Sequence, residues 1–234
     1  MTTSLKGRFA QLVGQDPSFR PPRVITRGGH RVRGIFPSAR FKRPMHWESG
    51  LQCDLVYRLE ASWLVADACT RPTTINVALE DGTQFGHTPH AVVMRWDGQL
   101  VCLECIPSKH LREASVLKRL AAIRQRLADL SVQFLVVTEA HLDLPIARRN
   151  ARMLTQALRT ARPDERDAED CVQLARRRPE VLTDLAALLG TDASLRMLAL
   201  GYVYADMHQP LGAATSLTYT LEEHFDAADF IHTK

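Results

Sequence analysis

The sequence predicts an α/β protein, a mixed β-sheet flanked by helices and followed by a smaller helical domain. Three observations carry this. Short apolar runs at 74–79, 91–96 and 100–106 end at the turn signals Asp81-Gly82, Asp97-Gly98 and Pro107. Helix-spaced stretches lie before and after these runs, and the second leads into the continuous apolar run Gln133-Phe134-Leu135-Val136-Val137-Thr138. From Pro145 onward the pattern is mostly helical.

The elements follow in order. Residues 1–45 are rich in Arg, Pro and Gly, with Pro21-Pro22 and Gly28-Gly29 as breakers, so extended or poorly ordered backbone is expected. Leu51, Leu55, Val56, Leu59 and Leu64 predict a helix within 45–65, with Glu48 in its first or second turn. The three β-type runs read as an antiparallel meander. Leu117, Leu120, Ile123 and Leu127 line one face of a helix over about 111–130. The run at 133–138 suits a strand buried in a mixed sheet.

The charged stretch 159–169 contains Pro163 and is either a linker or the start of a second domain. Helices are expected around 168–177, 179–189 and 194–205, then a short β-hairpin over 211–221. Three helices and a β-wing suggest a winged-helix module. The resulting division is a basic arm over 1–44, an α/β domain over 45–142 and a C-terminal domain over 143–234.

Composition narrows the class. The chain has 234 residues, 45% hydrophobic and 24% charged, as ordinary globular proteins do. No apolar run reaches the roughly 18–20 residues that a membrane span needs, and Met-Thr-Thr-Ser-Leu-Lys has no apolar signal core. The five scattered cysteines (Cys53, Cys69, Cys102, Cys105, Cys171) argue against a disulfide framework. A cytoplasmic protein without membrane attachment is expected. Ten Lys/Arg against one acid give +9 up to His46; the whole chain is +4, so the remainder carries –5. A basic arm of this kind either binds a polyanion such as DNA or is simply solvated.

The chemistry concentrates in three fragments: Trp47-Glu48-Ser49-Gly50-Leu51, His87-Thr88-Pro89-His90, and Leu103-Glu104-Cys105-Ile106. Phosphodiester hydrolysis needs a divalent metal on hard oxygen ligands and a nearby cation. An acid at a strand start, an acid and a Lys two residues apart on the next strand, and an acid from a helix supply that set. With Asp at 90 and Lys at 106 the fragments would read as such a site.

Together with Thr70-Arg71-Pro72, and with Phe134 to Glu139 followed by Arg149-Asn150, these fragments resemble the TnsA-type endonuclease subunit of heteromeric cut-and-paste transposases. The resemblance runs from about Val32 to the C-terminus. It implies a restriction-endonuclease-like core and a winged-helix-like C-terminal domain. It also implies Mg²⁺- or Mn²⁺-dependent nicking at transposon ends, beside a transposase subunit and an ATPase regulator that contacts the C-terminal domain. By position, Glu48, His90 and Glu104 would hold metal, and Ile106 stands where the family has Lys.

The two departures change the chemistry. Imidazole suits Zn²⁺ or Mn²⁺ better than Mg²⁺, and Ile106 supplies no cation. Lys109, three residues on, is the candidate replacement. The expectation is a weakly active, metal-altered or inactive nuclease. The alternative is a non-catalytic DNA-binding and assembly module. Arg31, Arg33, Arg40, Lys42 and Arg43, interspersed with Ile35, Phe36 and Phe41, are the candidate DNA contacts. Arg176-Arg177-Arg178 is either a phosphate contact or a favourable helix C-terminus. His87, His90, Cys102 and Cys105 have the composition of a zinc site, but a regular strand would send the two cysteines to opposite faces.

Overall fold

The structure is a computed structural model and describes residues 4–14, 32–159 and 164–232. Its contacts divide the chain into two units. One is Met1–Val56 with Val65–Leu142; the other is Tyr57–Leu64 with Asp143–Lys234.

The first unit is built on a four-stranded mixed sheet. Its strands are β3 (Val65–Thr70), β6 (Ala91–Arg95), β7 (Leu100–Cys105) and β8 (Gln133–Val137), in that spatial order. The β3–β6 and β6–β7 pairs are antiparallel, and β7–β8 is parallel. The parallel step needs a crossover, which α3 (Ala114–Ala128) supplies after a 3-10 turn at Ser108–Arg112. Of the face its spacing predicts, α3 buries Ile123 and Leu127 in the sheet's core and packs Leu120 partly against it, while Leu117 is exposed. Strands β4 (Ile75–Ala78) and β5 (Gln84–His87) form a separate hairpin and not part of a continuous meander. The strand β3 has no counterpart in the sequence reading.

The N-terminal arm departs from the expected extended chain. Leu5–Leu12 is a helix, α1, with Ser4 Oγ accepting the Gly7 N–H as its N-cap. Leu5 and Phe9 are buried with Cys69, Val92, Cys102 and Phe134, so the apolar face of α1 completes the sheet's core. Strands β1 (Gly34–Pro37) and β2 (Pro44–Trp47) form a two-stranded hairpin. Gly34 opposes Trp47, and a β-carbon there would lie nearer to Cζ2 of the indole than atoms can approach, so the position requires glycine.

Helix α2 (Gly50–Ala61) starts later than predicted, and Glu48 lies before it and not within its first turns. The cause is a capping arrangement. Ser49 Oγ accepts the Gln52 N–H at 3.2 Å, and Gln52 Oε1 accepts the Glu48 N–H at 2.7 Å. This fixes the Glu48 backbone at the helix entrance.

The second unit is helical: α5 (Pro145–Arg159), α6 (Asp164–Arg177), α7 (Leu182–Leu189) and α8 (Thr191–Leu200), following the short α4 (Glu139–Leu142) of the first unit. Only Gly190, at φ 85°, separates α7 from α8. The hairpin expected over 211–221 is not formed. Ser216 instead bridges Val181 and Thr218 bridges Tyr204, each antiparallel, so three short segments meet singly. Trp63 anchors this unit: its backbone N–H donates to Asp226 and its indole N–H to the Leu198 carbonyl at 2.7 Å. Among the described residues no helix is long and apolar enough to cross a membrane.

Candidate functional site

Strand alternation and register build the site. Cys69, Val92, Cys102 and Phe134 lie opposite one another across β3, β6, β7 and β8, and all four belong to the buried core. Two residues farther along, the same face carries His90 and Glu104, just beyond the Ala91–Leu103 pair. Arg71, immediately after β3, joins them: its N–H donates to the His90 carbonyl at 3.0 Å. An apolar row thus gives way to a polar one toward one end of the strands.

His90 is held by its backbone surroundings. Its Nδ1 accepts the Cys105 N–H at 2.8 Å, so that nitrogen carries no proton and the neutral ring carries its proton on Nε2. Burial depresses the His90 pKa below its ordinary 6.5, with Arg71 and His87 adding to the effect and Glu104 and Glu48 opposing it. The 3.4 Å approach of His90 Nδ1 to Glu104 Oε1 is therefore a contact between two acceptors and not an ion pair.

Glu104 occupies the position its apolar strand demands, in that polar neighbours surround it. Its other oxygen, Oε2, lies 3.3 Å from His87 Nε2. Both side chains are about nine-tenths buried, at 12% and 10% exposed. Both atoms are shielded from solvent, and neither makes an aligned hydrogen bond. His87 ends β5, where the contact between Thr74 Oγ1 and Thr88 Oγ1 at 2.7 Å fixes the adjoining backbone.

Glu48 is ion-paired with the Arg71 guanidinium. Lys109 sits in the 3-10 turn after β7, next to Ser108, whose N–H donates to Glu139 Oε2 at 2.8 Å. The structure thus brings His90 and Glu104 together and leaves Glu48 paired with Arg71. This arrangement does not fit a Mg²⁺ ion on Glu48, His90 and Glu104. His90 has one nitrogen engaged and the other protonated, so it has no lone pair to give. Among the described residues, no three His, Cys, Asp or Glu side chains converge as a metal cage.

The cysteines take no part. Cys102 lies in the α1 and α3 core, while Cys105 points to the opposite face. Burial raises both thiols, and lifts Cys69 to about 12.

Among the candidate DNA contacts, Arg31 lies outside the described residues. Arg40 donates to the Val65 carbonyl at 2.7 Å, and Arg43 donates to Phe41 and pairs with Asp67 at 3.0 Å. These two guanidinium groups hold the hairpin on the sheet. Arg33 is half-buried, and Lys42, at φ 52°, projects from the turn between β1 and β2.

Arg71 carries no role in the sequence reading, and His87 enters it only as a possible zinc ligand and not as a partner of Glu104. Arg71 follows the strand that the pattern misses, and its position opposite His90 requires the sheet register. His87 is three residues from His90, but the two rings reach Glu104 from different hairpins. No family model matches the chain, and no curated protein sequence matches it.

Proposed function

We propose that this chain is a TnsA-type subunit of a DNA-transposition machinery that serves as a DNA-binding and assembly module, on a restriction-endonuclease-like core that no longer cuts with Mg²⁺. The observation that carries the reading is the polar row itself. The three fragments of the resemblance meet at one end of the strands, yet Arg71 pairs with Glu48, His90 offers no metal lone pair and Ile106 provides no cation. Support for the core comes from element order: helix, three antiparallel strands, helix, then a parallel fourth strand.

The C-terminal unit supports the assembly half of the proposal. Its order of helix, bridge, two helices and two bridged segments suits a winged-helix module. In a DNA-reading module of this kind a helix presents its side chains to the major groove. Here α8 is buried over Ala193, Ser194 and Met197–Ala199. Its only cation, Arg196, is committed to Asp167 through two nitrogens and to the Leu158 carbonyl. This helix suits packing, and the unit suits a protein partner such as the transposase or ATPase regulator.

The test is strand nicking and binding of transposon-end DNA. The wild type should bind ends with steep salt dependence and leave them uncut in Mg²⁺. His90→Asp with Ile106→Lys should restore nicking. Robust wild-type cutting that Glu48→Ala abolishes would establish the active-nuclease reading instead.

A further inference from the structure

We infer that one stripe of α3, carrying Lys118, Arg119 and Arg126, docks the phosphate backbone of duplex DNA. The inference rests on the DNA-binding reading and names the surface of the first unit that serves it. The hairpin arginines are committed elsewhere, Arg40 to the Val65 carbonyl and Arg43 to Asp67.

Helix α3 carries Lys118, Arg119, Arg124 and Arg126 and no acid over its 15 residues. None of these four cations is in an ion pair with a described residue. The nearby acids have other partners: Glu113 pairs with His110, Asp129 accepts the Gln125 amide, and Asp81 accepts the Thr83 N–H. At about 3.6 residues per turn, Ser115, Lys118, Arg119, Ala122 and Arg126 share one flank of the helix, beside the face that buries Ile123 and Leu127. Ser115, Lys118 and Arg119 are exposed, and Ala122 and Arg126 partly so. The side chains between the cations are small, so a nucleic-acid backbone can come close to the helix.

One of the cations is held in place before any partner arrives. The Arg119 guanidinium lies 4.4 Å from the Phe85 ring centroid. A ring positions a guanidinium without neutralising it, and the N–H edges still reach a phosphate. Less side-chain freedom is then lost on binding. Arg119 and Arg126 stand about 10.5 Å apart along the helix, close to three base-pair steps of about 3.4 Å. A lipid surface is the other extended array of phosphates, and α3 does not suit it. A helix that binds a bilayer inserts its apolar face, whereas Leu120, Ile123 and Leu127 already pack in or against the sheet's core. Contacts from Lys and Arg to phosphate alone carry no base reading, so this docking is independent of sequence.

The experiment follows binding of the full chain to a transposon-end duplex and to a random duplex of equal length, by fluorescence anisotropy over a salt series. The wild type should bind both. Lys118→Gln with Arg119→Gln and Arg126→Gln should lower the slope of log affinity against log salt by about three, one for each lost phosphate contact. Gln keeps the helix propensity of Lys and Arg, and circular dichroism checks the fold. Lys118→Gln with Arg126→Gln leaves the Arg119–Phe85 stack intact and should lower the slope by about two, which covers a triple variant that misfolds. Arg119→Lys with Arg126→Lys keeps the charges and should keep the slope. The control Arg149→Gln removes an exposed cation of α5 and should leave the slope unchanged. A folded triple variant with the wild-type slope, a comparable loss in Arg149→Gln, or a loss confined to the end sequence would each overturn this surface while leaving DNA binding in place. A wild type that binds vesicles of anionic lipid but not duplex, or binds neither, would overturn both readings.

Discussion

The Arg71 guanidinium is ion-paired with the Glu48 carboxylate, joining the end of β3 to the entrance of α2. Arg71 reaches it from an unusual backbone, with φ at 49° and Pro72 following. A left-handed conformation costs a non-glycine residue about 1–2 kcal/mol. The sheet register imposes that cost, since the Arg71 N–H is needed by the His90 carbonyl.

This strain gives a first prediction. Arg71→Gly and Arg71→Ala both remove the ion pair, but only glycine relieves the backbone. Arg71→Gly should therefore be the more stable of the two by about 1 kcal/mol. Urea denaturation measures the difference, and equal stabilities would show that the turn relaxes without strain.

The same substitutions report on His90. Arg71 is one of the groups holding its pKa down, while Glu48 pushes it up. Removing the guanidinium should raise the His90 pKa toward the ordinary value. An NMR titration of the imidazole follows this directly, and an unchanged midpoint would place Arg71 outside the electrostatics of the site.

Stability should depend on pH through two histidines of opposite sign. His90 has a folded pKa below the 6.5 of an ordinary histidine, so the unfolded chain takes up the proton first as pH falls. Its contribution is present above about pH 6.5 and lost below it. His208 is raised, first by the Asp229 carboxylate 3.5 Å from its Nε2, so its contribution is present below the ordinary value and lost as pH rises through the folded one. The two partly cancel. Between about pH 7.5 and about pH 5.5, His90→Asn should lose less stability than the wild type, and parallel losses would contradict the assignment.

Gly34→Ala should disrupt the β1–β2 hairpin, because its methyl group would meet the Trp47 indole. Overpacking of this kind costs about 1–3 kcal/mol. Pairing it with Trp47→Leu should recover part of the loss in a denaturation series. A Gly34→Ala protein as stable as the wild type would mean that the ring moves freely.

Arg196→Ala should cost about 2 kcal/mol, as expected when a charged, bidentate hydrogen-bonding partner of a half-buried acid is lost. Binding of DNA ends by the folded fraction should not change, since α8 keeps this cation for Asp167. A drop in affinity at full folding, read by titration with labelled DNA, would return α8 to the role of a reading helix.

The sequence was informative wherever a period of two or 3.6 survives. The β6, β7 and β8 runs, the apolar face of α3 and the mixed sheet all follow from it. Strand β3 was not visible because Val65-Ala66-Asp67-Ala68 mixes small and charged residues, with a bulge between Val65 and Asp67. Helix α1 was hidden by its own basic, glycine-containing composition, and only its contact with the sheet explains it. Glu104 was legible as a carboxylate that an apolar strand must accommodate. Its partner His87 was not, since a hairpin register rather than chain proximity brings that ring into place.

Residues 57–64 complete the second unit although they precede most of the first one in the chain. Leu59 and Trp63 are buried, and Trp63 is tied to Asp226 and Leu198 of that unit. The chain therefore enters the second unit twice, at 57–64 and again from 143. A gene fusion, deletion or exchange that joins at residue 142 would leave this segment with the wrong half, so the protein can be recombined as a whole but not trimmed at its apparent seam.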